Sequence, residues 1–531
     1  MNTKALLRSS TVMAIGTIVS RITGLARGLL LVAVLGTTLL GDTFNVANTM
    51  PNILYNLIIG GALTAVFVPQ IVRATREDDG GSLFISRLVT ATSVFLGLLV
   101  LLATIFAPLL VRIFATSYVG HPAFHVTTLF MRFCLPQIFF MGIFALLSQV
   151  ANAKDRFGPM MWAPVLNNLI AILVFGWYYS KELSNTVETI PTSEIAALGI
   201  GTTLGYVAQA AVLIPVIRKT KIRIRPNFKW RDPELKKSIH LAKWTFIFAA
   251  ISQLSYLITV NLSTSAAIKA LESGITTGVG FTPYNNALLI FMLPHSIITI
   301  SIVTALLPTL SKFAHENKPE EIHDQLVRAM RLVGIITVPS AIAFLAFGPL
   351  ITKTLFFGIS TADGNYLGYV LSAFALGLMP MSTNLIALRG LNAYENVKSQ
   401  VLSNLIMNLV GVLISVIVAI VVPNKWVTVG LAAALSISYY IGAYVTIRLL
   451  KRYEIAIKIP EVVGFYLKLA LLSAIVALPL FFVQSHIPGG NTLRLIEVLG
   501  ICGVGYLVLA KFAKVEEVHN LLEVILKKRK S

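Results

Sequence analysis

The sequence predicts an all-α polytopic membrane protein with about 14 transmembrane helices, organised as two parallel six-helix repeats plus two extra C-terminal helices. Its 531 residues are 56% hydrophobic and only 12% charged, and the mean hydropathy is +0.80. Soluble globular proteins of this length carry many more charges, whereas polytopic helical membrane proteins have this composition. The apolar runs are continuous rather than alternating, which excludes an outer-membrane barrel.

Fourteen apolar runs are long enough to cross a bilayer, which takes about 20 helical residues. These spans, numbered 1 to 14, are predicted at residues 9–36, 43–72, 84–114, 124–152, 157–180, 194–217, 238–264, 282–311, 325–355, 365–389, 397–423, 426–447, 460–485 and 493–514. No cleavable signal peptide is predicted, because Met1–Ser10 is short and polar and the apolar run after it has the length of a full span.

Charge alternates between successive connections. One set is basic and comprises Lys4 and Arg8, Arg73 to Arg87, Lys154 and Arg156, Arg218 to Lys237, Lys312 to Arg331, Arg389 and Lys398, Arg448 to Lys458, and the tail Lys527 to Lys530. The intervening connections contain few Lys or Arg. The positive-inside rule therefore accounts for the net charge of +20 without nucleic acid as a partner, and it places both termini in the cytoplasm.

The longest basic connection, Arg218–Lys237, has the sequence RKTKIRIRPNFKWRDPELKK. We interpret it as a topogenic loop that touches anionic lipid, in preference to a site for a specific ligand.

An internal repeat of about 240 residues divides the chain. Asn152-Ala153 and Asn168-Leu169 recur as Asn392-Ala393 and Asn408-Leu409. Since the offset covers six spans, the two halves have the same orientation, which is typical of transporters that rock two lobes about a central site. The predicted domains are an N-lobe at 1–217, a basic cytoplasmic loop at 218–237, a C-lobe at 238–450, and helices 13 and 14 with a basic tail at 451–531.

Arg21 and Arg27 lie inside span 1, where an arginine near the bilayer centre costs about 2.5–3.5 kcal/mol. No acidic residue lies deep inside any predicted span. The positive charge predicts a cavity that holds an anion, and guanidinium groups suit phosphate because their planar fork donates two bonds. Snorkelling or internal pairing is the alternative interpretation.

The predicted cavity lies between the lobes and is lined by helices 1, 2, 7 and 8. Asp42 is a candidate gate residue, although it could instead cap helix 2. Pro51, next to Asn52, and Pro294 in span 8 each remove a backbone hydrogen bond and predict kinked gating helices, with ordinary packing as the alternative.

Span 7 carries neutral polar residues at the depth where span 1 carries charge. Gln253, Ser255 and Asn261 are the candidate cavity residues among them. No catalytic motif and no metal cluster is present, and Cys134 and Cys502 fit apolar core positions, so we expect neither an enzyme nor a cofactor.

Three segments together resemble the MurJ/MviN lipid II flippases of the multidrug/oligosaccharidyl-lipid/polysaccharide exporter superfamily. These segments are SRITGLARG with GDTFNVANTMPN, NAKDRFGPMMWAPVLNN, and LPHSIITISIVTALLPTLSK. The resemblance covers essentially the whole chain. It implies alternating-access transport of an undecaprenyl-pyrophosphate-linked peptidoglycan precursor from the inner to the outer leaflet of the bacterial cytoplasmic membrane, among membrane lipids and with cell wall synthesis proteins as candidate partners.

The resemblance also assigns residues. The essential arginines of the family fall on Arg21 and Arg27, its acidic residue on Asp42, and its Pro-Asn pair on Pro51 and Asn52. The chain departs from the better-known members in two places. They carry a basic residue where this chain has Tyr55 and Asn56, and an arginine where Tyr284–Pro294 has none. Arg21 and Arg27 must therefore supply more of the pyrophosphate contact.

Three other functions stay open at the level of sequence. A flippase for another polyprenyl-linked saccharide would use the same two arginines. A drug or ion antiporter of the same superfamily usually needs buried carboxylates, and Glu497, in the first turn of span 14, is no such residue. A non-transporting membrane scaffold would have no water-filled cavity, and its Arg21 and Arg27 would be paired internally.

Overall fold

The computed structural model describes residues 3–60, 68–74, 81–154, 156, 158–181, 186–220, 222–228 and 233–519, and the regular secondary structure of these residues is entirely helical. Twelve spans in these ranges are long and apolar enough to cross a membrane, and a bent helix pair makes a thirteenth. Predicted span 2 is not among them, since part of it, 61–67, lies outside the described residues. The all-α polytopic class is thus confirmed, with a count close to fourteen.

Twenty α-helices account for the described spans. They are α1 Thr3–Leu35, α2 Leu39–Tyr55, α3 Val68–Ala74, α4 Ser82–Ile105, α5 Ala107–Phe114, α6 Pro122–Cys134, α7 Gln137–Ala153, α8 Gly158–Tyr179, α9 Thr192–Ala211, α10 Leu213–Lys219, α11 Pro233–Glu272, α12 Phe281–Pro294, α13 Ile300–His315, α14 Pro319–Leu355, α15 Thr361–Ala375, α16 Leu378–Ala393, α17 Val397–Val421, α18 Val427–Leu450, α19 Ile459–Val483 and α20 Asn491–Phe512. Two π-helical turns, Asn56–Gly60 and His295–Thr299, follow α2 and α12.

The chain forms two compact units, Met1–Thr282 and Pro283–Ser531. In the first, α1 packs along α8, α9 packs on α6, α7 and α8, and α11 contacts α2 and α5. In the second, α14 contacts α15, α16, α19 and α20, and α18 packs on α16 and α17. The predicted domain boundaries follow internal similarity rather than packing, and they stay a prediction.

The repeat is visible as matched breaks inside the two units. In the first, Phe106 interrupts the helix between α4 and α5 with φ −88° and ψ 15°. In the second, Phe347 interrupts α14 with φ −116° and ψ 15°. Each is followed two residues later by a proline, Pro108 or Pro349, which cannot donate a backbone bond to the preceding turn. The same local sequence therefore bends the third helix of each repeat.

Two more breaks coincide. The fourth helix of the first repeat is interrupted between Cys134 and Gln137, and the fourth helix of the second is interrupted between Ala375 and Leu378, where it bends by 42°. The π-helical turns begin at Asn56 and His295, at nearly the same offset. A π-helical turn inside an α-helix is uncommon and frequently marks a functional segment. Two such turns at equivalent positions support a parallel repeat.

Candidate functional site

The candidate site begins with helix α1, which runs from Thr3 to Leu35 as one continuous helix. Gly24 and Gly28 do not interrupt it. Arg21 is exposed and Arg27 is partly exposed. Within the part of the chain that the structure describes, neither guanidinium forms an ion pair or a hydrogen bond. Both charges are thus available to an external anion.

Asn168 of α8 holds α1 in place between the two arginines. Its Nδ2 donates to the Ser20 carbonyl oxygen at 3.0 Å and to Thr23 Oγ1 at 3.1 Å. The hydroxyl of Thr23 in turn donates to the Val19 carbonyl oxygen at 2.9 Å. A side-chain amide that bonds across two membrane helices fixes both their rotation and their depth. The orientation of Arg21 and Arg27 therefore depends on α8.

Close packing of α1 on α8 continues toward the N-terminus. A Cβ atom at Gly16 would lie 2.9 Å from Nε1 of Trp162, so only glycine permits this approach. Arg27 follows Thr23 by one helical turn on the same stripe, whereas Arg21 is about 240° of helical rotation away from Arg27. The two guanidinium groups therefore leave α1 in different directions.

Asp42 lies in the first turn of α2 and is completely buried. Its carboxylate accepts the backbone N–H groups of Phe281 and Thr282, at 2.9 Å to Oδ2 and 2.6 Å to Oδ1. These N–H groups open helix α12, so Asp42 caps the N-terminus of a helix about 240 residues away in sequence. The N-cap of its own helix α2 is Thr38. The alternative of a plain cap for helix 2 is therefore wrong.

Small residues and amides complete this contact, which we call the Asp42 clasp (Asp42, Asn45 and 278–282). Asn45 Nδ2 donates to Thr282 Oγ1 and to the Gly41 carbonyl oxygen, both at 3.0 Å. Gly280 has φ +144°, and a Cβ there would collide with the Asp42 carboxylate. Gly278 packs against the Thr37 side chain with no room for a Cβ. The clasp is therefore a built and sterically tight arrangement.

The two candidate prolines precede the π-helical turns. Pro51 is buried inside α2, Asn52 is partly exposed, and the first π-helical turn begins four residues after Asn52. Pro294 ends α12 directly before the second. In that turn, His295 Nδ1 lies 2.9 Å from Ser382 Oγ, to which Thr299 Oγ1 donates at 3.1 Å. Both prolines thus lie beside irregular helix, as expected for kinked segments.

The polar residues of predicted span 7 lie on α11, which packs in the first unit. Asn261 Nδ2 donates to the Ile113 carbonyl oxygen at 3.1 Å and to Thr116 Oγ1 at 2.8 Å, so its amide is engaged at the end of α5. Gln253 and Ser255 are partly exposed along the same helix. Both N–H groups of Asn261 are therefore already bonded within the protein, whereas Gln253 and Ser255 have partly exposed side chains.

Sequence reasoning missed three residues that position the site. In the sequence, Asn168 stands out only as part of the internal repeat, Thr282 has no distinguishing pattern, and Ser382 lies in an apolar helix. A polar side chain inside a membrane span is a signal in itself, because an unbonded amide is costly in hydrocarbon. Asn168 could have been found in this way.

A comparison with protein-family models matches residues 31–496 to the family described as Lipid II flippase MurJ. The chain belongs to the MurJ family. The match includes the clasp and begins four residues after Arg27, so that both arginines lie just before it.

Curated relatives match the chain over most or nearly all of its length. A protein from Vibrio cholerae, called "Probable lipid II flippase MurJ", is 24% identical over 521 residues, 94% of each chain. One of the same name from Thermotoga maritima is 24% identical over 524 residues, 97% of this chain and 98% of its own. A third, from Rickettsia prowazekii, is 26% identical over 380 residues, 70% of each chain.

Solved structures show the fold. "Lipid II flippase MurJ, inward closed conformation" matches with a TM-score of 0.75 at 19% identity and covers 95% of this chain and 99% of its own. An inward-facing multidrug resistance transporter of the MATE family and the MOP superfamily matches with a TM-score of 0.64 at 14% identity, over 82% of this chain and 95% of its own.

Proposed function

We propose that this chain flips lipid II, the undecaprenyl-pyrophosphate-linked peptidoglycan precursor, from the inner to the outer leaflet of the bacterial cytoplasmic membrane. One observation carries the proposal. In a member of the MurJ family, a membrane-spanning helix holds Arg21 and Arg27 with no counter-charge among the described residues. Internal pairing, which the scaffold function requires, receives no support from these contacts.

The chemistry of the substrate matches the charge. A pyrophosphate with attached sugars cannot cross hydrocarbon unaided, whereas the prenyl tail can stay in the bilayer. Each guanidinium offers a planar pair of N–H donors to a phosphate and stays charged at any physiological pH. Arg21 and Arg27 would bind the pyrophosphate, and the saccharide would then cross with it. No covalent step is needed, so the function is transport and not catalysis.

Alternating access is the proposed mechanism. The matched breaks at Phe106 and Phe347 and the paired π-helical turns give each repeat bendable points at equivalent places. The predicted cavity lined by helices 1, 2, 7 and 8 would receive the headgroup. The Asp42 clasp would close the outer side and release the N-terminus of α12 when that side opens.

Reconstituted flipping of labelled lipid II into vesicles tests the proposal. Arg21→Ala or Arg27→Ala should reduce the rate at least about tenfold, because a hydrogen bond to a charged group contributes about 1.5–3 kcal/mol. Lysine at either position should restore part of the rate, since an ammonium keeps the charge but loses the fork.

Arg132 provides the matched control. It is an exposed arginine on α6, also inside a membrane helix, and Arg132→Gln should leave flipping nearly intact. Equal losses in all three variants would mean that any intramembrane arginine matters, and the pyrophosphate role would be wrong. A second arm with a different polyprenyl-pyrophosphate saccharide tests substrate class. Faster flipping of that lipid than of lipid II would favour a flippase for another saccharide.

A further inference from the structure

The basic connection between α10 and α11 contains an extended segment, residues 222–228, with the sequence IRIRPNF. We call it the strap. It lies along α4 and is attached there by a ladder of hydroxyl groups. Arg225 N–H donates to Ser86 Oγ at 3.1 Å, Ser86 Oγ donates to the Arg223 carbonyl oxygen at 3.2 Å, and Asn227 N–H donates to Thr90 Oγ1 at 3.0 Å.

The ladder has a simple geometric basis. Ser82, Ser86 and Thr90 recur every four residues on α4, a rise of about 6 Å per step. Two residues of extended chain advance about 6.6 Å, so alternate N–H groups of the strap meet successive hydroxyls. The Arg223 N–H reaches Ser82 Oγ at 3.5 Å and completes the series. The strap therefore runs parallel to α4 rather than across it.

Depth along α4 then orders the strap side chains. Helices α4 and α5 together run from Ser82 to Phe114, a length of about 50 Å, whereas the hydrocarbon core is about 30 Å thick. The first turns of α4 therefore lie at headgroup depth, on the side that loop charge predicts to be cytoplasmic. Arg223 and Arg225 lie there, and Phe228 lies toward the acyl region, with 62% of its surface exposed. Along the strap, the charged residues come first and the aromatic ring follows, which is the order of headgroup and acyl chain in one lipid leaflet.

A third arginine lies at the same level of α4. Arg87 directly follows Ser86 on α4, and its buried Nε has no hydrogen-bond partner in the described part of the chain. Arg223 and Arg225 are exposed, and neither forms an ion pair with the described residues. Three arginines beside exposed apolar groups suit a phosphate joined to acyl chains, because phosphate accepts the forks and the chains contact Phe228.

We propose that the strap, with Arg87, forms a binding site for an anionic phospholipid of the inner leaflet. Any basic cytoplasmic loop is attracted to an acidic membrane. This site is more specific than such a loop, because the hydroxyl ladder fixes the arginines at headgroup depth. The site is separate from Arg21 and Arg27, and it does not rest on the proposed transport of lipid II.

Native mass spectrometry of the purified full chain, titrated with phosphatidylglycerol or phosphatidylcholine, tests the site. The wild type should retain phosphatidylglycerol preferentially. Arg223→Gln with Arg225→Gln should weaken that binding by about fivefold per arginine. Ser86→Ala, which removes no charge, should also weaken it, because the strap loses its central attachment. Melting temperatures without lipid identify any variant that is simply misfolded. Arg223→Lys with Arg225→Lys should retain only part of the binding, since an ammonium keeps the charge but loses the fork.

The control variant combines Lys451→Gln with Arg452→Gln, two exposed basic residues in another connection predicted to be cytoplasmic. It removes the same charge and should leave phosphatidylglycerol binding unchanged. If the control and strap variants lose phosphatidylglycerol binding equally, the lipid responds only to the total basic charge of the protein, and the proposal is overturned. Equal binding of the two lipids by the wild type would also overturn it.

Discussion

Asp42 makes its strongest contacts with two backbone N–H groups at the start of α12. Such a contact joins a carboxyl group to the positive end of a helix, and an ionised group there contributes about 0.3–1 kcal/mol when exposed and up to about 2 kcal/mol when partly buried. A hydrogen-bonded contact of this size can form and break during transport. The contact of Asp42 with α12 is strong enough to favour the state in which the outer side is closed, and weak enough for substrate binding to reverse that preference.

Asp42→Asn should shift the resting population toward an outward-open state, because the neutral amide loses the charge and one of two acceptors. Thr37→Cys reports this change, since Thr37 is 1% exposed and lies against Gly278. In intact cells carrying Cys502→Ser, its labelling by an impermeant maleimide should increase when Asp42→Asn is added.

The neighbouring Thr38→Cys serves as the control, because Thr38 is already exposed and should label equally in both backgrounds. If Asp42→Asn lowers thermal stability while Thr37→Cys labelling stays the same, Asp42 acts only as a helix cap and the gate is wrong.

Gly280→Ala should destabilise the protein more than an ordinary left-handed glycine substitution. The new Cβ meets the Asp42 carboxylate, and φ +144° is a conformation that side chains rarely adopt. Gly274→Ala is the matched control, with φ +71° and open space around its Cβ. Gly274→Ala should cost about 1–2 kcal/mol from backbone strain alone, and Gly280→Ala clearly more. Equal melting temperatures for the two variants would mean that the clasp has room to relax.

At the residue scale, the sequence identified charge but not partners. Arg21 and Arg27 were found because any charge in an apolar run is conspicuous. The partner of Asp42 was not predictable, because a backbone N–H at Phe281 or Thr282 leaves no mark in the side-chain pattern. The departure at Tyr55 and Asn56 coincides with the start of the first π-helical turn, which no residue type specifies.

At the scale of elements, hydropathy located the described spans, because burial in lipid needs continuous apolar length, but the ends of these helices differ from the predicted ones by up to eight residues, as at the C-terminus of α11. The interruptions within these helices are harder to predict from the sequence. The Phe-Ala-Pro and Phe-Gly-Pro triplets at 106–108 and 347–349 are a readable signal for the third helix of each repeat. The break after Cys134 has a proline beside it, but the matching break after Ala375 has only a glycine. Packing, not local sequence, decides such a bend.

The repeat supplies its own control for helix orientation. Asn168 and Asn408 are equivalent in sequence, yet Asn168 bonds across to α1, whereas Asn408 Nδ2 bonds to Asn404 of its own helix at 2.8 Å. Asn168→Leu should therefore lower the melting temperature more than Asn408→Leu, by the equivalent of about 1 kcal/mol. Equal effects would show that the interhelical bond does not fix α1.

At the scale of the whole molecule, the alternation of loop charge predicts the orientation, and an even number of crossings would place both termini in the cytoplasm. The described spans number twelve or thirteen, so the second span decides the parity. Its crossing includes residues 61–67, outside the described ranges. Topology must therefore be measured at connections on both sides of that span and again near the C-terminus.

Single cysteines at four connections measure it, in a background that carries Cys502→Ser. Thr38→Cys, Thr189→Cys and His486→Cys lie in connections predicted to face outward, and Glu454→Cys lies in one predicted to face the cytoplasm. An impermeant maleimide added to intact cells should label the first three, and it should label Glu454→Cys only after permeabilisation. Thr38 and Thr189 on opposite sides would mean that the second span does not cross completely. Labelling of Glu454→Cys in intact cells would show that the second half of the chain has the opposite orientation, and a parallel repeat would then be wrong.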